Sequence, residues 1–414
     1  MKLRGTSTVA GALALVLAVA GFAVPAGAAQ GVGKSADKTG PLVTHYVYLS
    51  KEYKEPPPLS LIEPILPNKG LDGARLSNQQ NNLTGKFTGD TFVLDKAIVP
   101  QGGEVVAEAK KLLSGGQRLI VADLKAKDLL AVADLPEAKN AIILNIRAQD
   151  DGLRQRGCRS NVFHLVPSYA MRADALAQYL VWKKWTRWFL VRGKYPADIA
   201  YANAVKRAAK LYGAKIVAER SYELETGSRR TDTGYQQIQT QMPRLTRGVP
   251  NYDVAFVADE SNSFGLYLPY RTTDPRPVVG SYGLVATAWG PSYESYGGLA
   301  LHSDFLKLAG REITERDYEA WLAVHLFGMA VVHTKSNDAD AIRKYITSDD
   351  LKLSGYKGQG MNFRSWDHQL RQPILLMEPL ALVSISPQPG FLHPKYQTDT
   401  LGFDEPQSQC RFSK

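Results

Sequence analysis

An α/β fold made of two successive parallel-sheet sections is the architecture this sequence predicts. Three observations predict it. Short apolar runs such as residues 118–122 and 141–146 alternate with amphipathic helical stretches, the pattern of βαβ units whose strands are buried on both faces. The pattern halts near residue 158 and restarts at Val162. The chain, at 414 residues, is longer than one hydrophobic core usually sustains.

In the first section, residues 43–49 read as a strand and 71–81 as a helix with Gly70 before it. Residues 91–99 follow as a strand, and 105–113 as a helix ending at Gly115-Gly116. Residues 118–122 are a buried strand, 126–133 a helix and 141–146 a strand. In the second section, 162–166 is a short strand, 172–184 a helix, and 188–192 a strand running into Gly193. Residues 201–212 form a helix with Gly213 as its stop signal. Strands at 215–222, 253–258 and 278–281 and a helix at 233–245 complete the section.

The clearest helix opens at Thr314, with Asp317 three residues on as an acidic variant of the capping box. Tyr318, Trp321, Leu322, His325, Leu326 and Met329 then recur at helical spacing, so His325 reads as a core histidine rather than a metal ligand. Trp182, Trp185 and Trp188 read as core packing at a helix-to-strand joint. After residue 384 the chain turns Pro/Gly-rich, as an extended tail would.

Residues 1–29 combine the charges of Lys2 and Arg4, an apolar stretch from Val9 to Val24, and small residues at Pro25-Ala26-Gly27-Ala28-Ala29. That is the pattern of a cleaved secretory signal peptide, followed by a flexible linker over 30–40. A soluble periplasmic protein is expected. Losing Lys2 and Arg4 lowers the formal charge from +10 to +8. No basic run carries interleaved aromatics, so a generally cationic surface is expected rather than a nucleic-acid partner. The two cysteines, Cys158 and Cys410, read as one disulfide in an oxidising compartment.

The sequence has no Gly-x-Ser-x-Gly elbow, His-Glu-x-x-His helix, Walker loop or Gly-x-Gly-x-x-Gly, and its seven histidines are dispersed. A binding protein is expected rather than an enzyme.

The order of elements over residues 41–384 resembles the type I periplasmic binding proteins, in particular their branched-chain amino-acid group. Leu71-Asp72-Gly73-Ala74-Arg75-Leu76 with Asn81-Asn82 is similar to that group's first helix, and Leu190 to Tyr195 to the start of its second lobe. Narrower matches are Asp174-Ala175-Leu176-Ala177-Gln178-Tyr179-Leu180-Val181-Trp182-Lys183 and Thr314-Glu315-Arg316-Asp317-Tyr318-Glu319-Ala320-Trp321-Leu322-Ala323. A third is Lys357-Gly358 followed by Phe363-Arg364-Ser365-Trp366-Asp367-His368-Gln369-Leu370-Arg371-Gln372-Pro373. The tail adds Gly390-Phe391-Leu392-His393-Pro394, Asp399-Thr400-Leu401-Gly402 and Cys410-Arg411. These resemble substrate-binding proteins encoded beside pyrroloquinoline-quinone-dependent alcohol dehydrogenase systems, some of them tied to lanthanide use.

The resemblance implies two doubly wound parallel-sheet lobes joined by a three-crossover hinge. Lobe 1 is expected over 41–162 and 280–345, lobe 2 over 163–279 and 346–384, and a tail over 385–414. It also implies an ABC importer with permease and ATPase partners, no resident cofactor, and a link to quinoprotein alcohol oxidation. A non-transport accessory protein docking on that dehydrogenase system is the alternative of a different class.

Ligands of open α/β sheets sit beyond the carboxyl ends of the strands. Those ends carry Asp123, Asp150, Asp151, Asp259 and Glu260, with Tyr195, Ser281 and Tyr282 nearby. Amino-acid binders of the family hold the ligand carboxylate after the third and fourth strands, where carboxylates here would repel it. The five acids are therefore the candidate metal ligands, for a hard multivalent cation such as a lanthanide ion. Arg147 and Lys125 count against a pure metal site, and leave a small organic solute (an amino acid, amide or organic acid) as the second candidate.

Overall fold

The computed structural model describes residues 40–55, 66–222 and 232–412. The expected signal peptide and nearly all of the linker lie outside the described residues.

The first sheet is wholly parallel. Strand β1 (Val43–Lys51) leads through helix α1 (Leu71–Thr88) to β2 (Thr91–Val99), and α2 (Val105–Ser114) leads to β3 (Leu119–Asp123). Helix α3 (Ala126–Ala133), β4 (Ile142–Asn145) and β5 (Val162–His164) complete the spatial order β2-β1-β3-β4-β5. Alternation along β1 sorts its side chains between two cores. Tyr46 and Tyr48 pack with Leu71 and Ala74 of α1, whereas Val47 and Leu49 pack with Val105 and Leu129 of α2 and α3.

The second section begins with α4 (Tyr169–Trp182), whose N-cap Ser168 accepts a hydrogen bond from the Met171 amide. It continues through β6 (Arg187–Arg192), α5 (Pro196–Tyr212), β7 (Lys215–Ser221), α6 (Asp232–Thr246), β8 (Val254–Ala258), β9 (Val278–Gly280) and β10 (Leu284–Thr287). Gly213 ends α5 in the left-handed conformation. Trp188 is buried beneath the sheet and donates its indole N–H to the Trp185 carbonyl, but Trp182 is half exposed, so the expected aromatic core group reduces to Trp188 with a partly buried Trp185.

Three helices then return to the first sheet: α7 (Gly298–Ala309), α8 (Glu315–Thr334) and α9 (Ala339–Ile346). The expected capping box opens α8: the Asp317 amide donates to Thr314 Oγ1, and the Thr314 amide to Asp317 Oδ2. Helices α1 and α8 pack face to face. A β-carbon at Gly73 would overlap the Asp317 carbonyl, and one at Gly328 the Asn81 side chain. Asn81 itself donates to the Val324 carbonyl, 3.0 Å. A two-residue ladder of β11 (Asn362–Phe363) and β12 (Leu370–Arg371) precedes β13 (Ile374–Glu378) and β14 (Ala381–Ser386). These last two add antiparallel to the second sheet, giving the order β14-β13-β10-β9-β8-β6-β7.

Two expected boundaries shift. Residues 284–287, placed in lobe 1 from the sequence, pair with β9 and β13 in the second sheet. Leu351, Leu353, Met361 and Leu370, placed in lobe 2, are buried in the core shared with α8. Burial decides both, since short apolar pieces without periodicity carry no sign of which sheet they will cover.

The connections between the halves are laced together. Gln369 Nε2 donates to the His164 and Val166 carbonyls (3.1 and 3.3 Å), and Gln372 Nε2 to that of Leu165 (2.5 Å). Lys357 Nζ donates to the Ala288 and Pro373 carbonyls. The tail is pinned over both halves. Asp399 accepts from Arg364 and Arg371, the Gly402 amide donates to Asp174, and Cys410 is disulfide-bonded to Cys158 across 252 residues.

Two predictions follow from this packing. Gly73→Ala should destabilise the fold by roughly 2–3 kcal/mol, because backbone rather than a flexible side chain must move; urea denaturation measures this. The second concerns His325, whose pKa burial pushes down to about 4, so that it stays neutral in the folded state while the unfolded state protonates near 6.5. Its contribution to stability is present above pH 6.5 and lost as pH falls towards 4. The stability difference between His325→Leu and wild type should therefore move in the variant's favour through that window, approaching about 1.4 kcal/mol per pH unit.

Candidate functional site

The carboxyl ends of β3 and β4, the segment before α1 and the N-terminus of α8 meet around a small cavity of about 100 Å³. Lys69, Arg147, Gln149, Glu315 and Arg316 line it, with Ile146 and Val166 as apolar walls. It lies at the place where open α/β sheets bind ligands.

Asp123 organises this end. Its carboxylate is buried and accepts from Tyr48 Oη (2.7 Å), Arg316 Nη1 (2.7 Å) and Arg147 Nη1 (3.4 Å). Burial first, and Asp123 second, push the Tyr48 hydroxyl well above its ordinary pKa, so it stays a donor. Arg147 also donates to Glu55 (2.8 Å) and lies over the Tyr53 ring, whose centroid is 4.7 Å away. Glu315 accepts from the Ala288 amide, 2.6 Å. Lys69 forms no ion pair among the described residues. Lys69 is exposed as a whole residue, but desolvation of its ammonium end, and then the Arg316 charge, hold its pKa below the usual lysine range. Three cations thus border the cavity against one lining carboxylate, and Asp123 behind the wall is committed to two of them.

Gln149 links this cavity to the strand ends of the second sheet, whose described residues do not line it. Arg172 Nη1 bridges Gln149 Oε1 (2.8 Å) and Glu260 Oε2 (2.7 Å), Nε donates to the Ala286 carbonyl (3.0 Å), and the guanidinium lies over Tyr201. Glu260 accepts a second hydrogen bond from Ser281 Oγ, 2.7 Å. Asp259 is fully buried and accepts from the amides of Ser263, Phe264 and Gly265 and from Ser261 Oγ. Asp198 accepts from Ser261 and the Tyr195 amide, and burial pushes its pKa up to about 6.

The acids expected at the strand ends are not brought together as a metal-ligand group: among the described residues, no three acidic, histidine or cysteine side chains are so placed. Asp123 is held by two arginines, Glu260 by a third, and Asp259 is saturated by backbone amides. Asp151 accepts from the Ala170 amide (3.0 Å), and burial raises its pKa. Asp150 precedes a short 3-10 turn, where its carbonyl accepts from Arg154. Tyr195 stands half exposed before α5, and Tyr282 Oη donates to Asn262, 2.9 Å. Sequence reasoning noticed Arg147 but passed over Lys69, Arg172 and Arg316. Arg316 lies 193 residues from the carboxylate it meets, and only the docking of α8 reveals the pair.

Comparison with known proteins bears on the fold. Residues 72–241 match the family described as periplasmic binding protein. The structure superposes on a branched-chain amino-acid ABC transporter periplasmic ligand-binding protein from Burkholderia xenovorans at 14% identity and TM-score 0.68, covering 90% of this chain and 100% of that one. The fold is that of the type I periplasmic binding proteins. A leucine-, isoleucine-, valine-, threonine- and alanine-binding protein from Brucella ovis shares this type I fold at 18% identity and TM-score 0.63, over 91% of this chain and 100% of that one. So does a solute-binding protein of an ABC transporter from R. palustris, in complex with benzoate, at 12% identity and TM-score 0.61, over 90% and 100%. Among curated protein sequences none matches this chain. Among the described residues, no helix of this type I fold is long and apolar enough to cross a membrane.

The caged geometry of Asp259 gives a prediction. Asp259→Ala leaves three buried amides without an acceptor and should lower stability by at least about 3 kcal/mol. A residue placed to bind a cation would instead leave the metal-free protein unchanged or more stable, through relief of like-charge repulsion. Denaturant melts of the metal-free variant distinguish the two.

Proposed function

We propose that this chain is the exported substrate-binding component of an ABC importer and that it captures a small organic anion, a carboxylate, between its two sheets. The observation that carries the reading is Lys69: a cation bordering the cavity that makes no ion pair among the described residues, beside Arg147 and Arg316 and opposed by the single lining carboxylate of Glu315. A carboxylate seated there completes the charge balance and accepts charge-assisted hydrogen bonds. The type I fold, the match to periplasmic binding proteins and a benzoate-bound neighbour support the importer class and the anionic ligand. Permease and ATPase subunits are the expected partners. The link to quinoprotein alcohol oxidation rests on the sequence resemblance of the α4, α8, 357–373 and tail segments. Within that link, the cationic wall favours an acid produced by alcohol oxidation over a lanthanide ion.

Isothermal titration tests this. Benzoate and short-chain carboxylates should bind the wild type, and Lys69→Met should weaken them tenfold or more, the loss of one charge-assisted contact. Tight binding of lanthanum with no response to any carboxylate would overturn the reading.

A further inference from the structure

A second, larger cavity lies away from the cleft. A trough of about 580 Å³ runs between α1 and α8, within the size range of small-molecule sites. It is lined by Phe92 at the start of β2 and Thr84 near the end of α1, so it opens towards the opposite end of the first sheet from the strand ends that carry Asp123 and Arg147.

Its lining repeats along one stripe of α8. Trp321, His325, Met329 and Val332 follow one another at helical spacing. The Trp321 and His325 rings are nearly parallel, with centroids 5.0 Å apart at 12°, and Tyr356 packs on the same indole at 5.4 Å. At the far end His333 stacks on Tyr345 with centroids 4.0 Å apart. Pairs of packed aromatic rings therefore stand at both ends, and a thioether and a valine lie between them.

The polar atoms narrow the ligand further. The indole N–H of Trp321 is already committed to Gln80 Oε1, 2.8 Å, which locks the ring in place. Among the described residues, by contrast, the ring nitrogens of His325 make no hydrogen bond. Burial holds that imidazole neutral, so it offers one donor and one acceptor. No Lys, Arg, Asp or Glu side chain lines the trough, and a charged ligand would lose its hydration there without a partner. Aromatic walls at both ends favour a flat ring over a flexible acyl chain.

We propose that the trough is a second binding site, for an uncharged aromatic compound bearing one hydroxyl or ring N–H, which packs between the aromatic walls and hydrogen-bonds to His325. The site is separate from the carboxylate cleft and does not depend on that reading.

Isothermal titration of the full chain with 2-naphthol, uncharged near neutrality, tests the proposal. One saturable site is expected in the wild type, unaffected by saturating benzoate. His325→Leu should weaken it about tenfold, the fold-change of one net hydrogen bond. Thr84→Trp, at an exposed rim position, should weaken it tenfold or more by filling the trough while leaving the response to benzoate unchanged. The proposal is overturned by an absence of saturable 2-naphthol binding, by displacement with benzoate, or by wild-type affinity in both variants. Failure of benzoate to bind would remove the carboxylate reading, and the trough would still be decided by 2-naphthol and the two variants.

Discussion

The ligand-binding end of the molecule depends on one buried carboxylate. Asp123 collects a hydroxyl from β1, a guanidinium from the segment after β4 and another from the first turn of α8. Each partner comes from a different part of the chain, so the interaction fixes how those elements meet. Its net worth to stability is small, because three polar groups give up water to make it. Its worth is positional. With Asp123 removed, two guanidiniums would lose their common anchor, and the cavity wall would lose its shape before its charge.

The same economy of contacts governs how α8 is seated. The helix lies close against α1 because Gly73 and Gly328 carry no side chain where the backbones approach. Its N-terminus is held by Thr314, while Arg311 donates to both Asp72 and Asp317. That seating places Arg316 at the cleft and, further along the same helix, places Trp321 and His325 in the trough. The carbonyls to which Gln369, Gln372 and Lys357 donate keep the three inter-sheet segments side by side.

Much of the fold was legible because the parallel strands are apolar on both faces and most of the helices between them are amphipathic. Strand β2 and helix α3 coincide with their expected limits. Helix α7 and strands β10, β13 and β14 carry weaker signals: short length, mixed periodicity and pairing that only distant segments complete. The capping box of α8 was readable because it is local, with donor and acceptor three residues apart. The candidate site was less legible for the complementary reason. A row of acids at strand ends looks like a cation site when each acid is considered alone, and the partners that neutralise Asp123 and Glu260 arrive from up to 193 residues away. His325 sat on a readable stripe, but its open side, facing the trough, is a property of how α1 and α8 pack.

The bond between Cys158 and Cys410 makes the covalent outline of this protein a lasso. The arm carries β1 to β4, and the loop of the lasso holds everything from β5 through the tail, including the whole second sheet and helices α7 to α9. A single backbone cut within the loop leaves one connected molecule, whereas a cut in the arm releases a fragment. Where proteases share the compartment, the portion of the chain that builds the second sheet can survive a nick that the first four strands cannot.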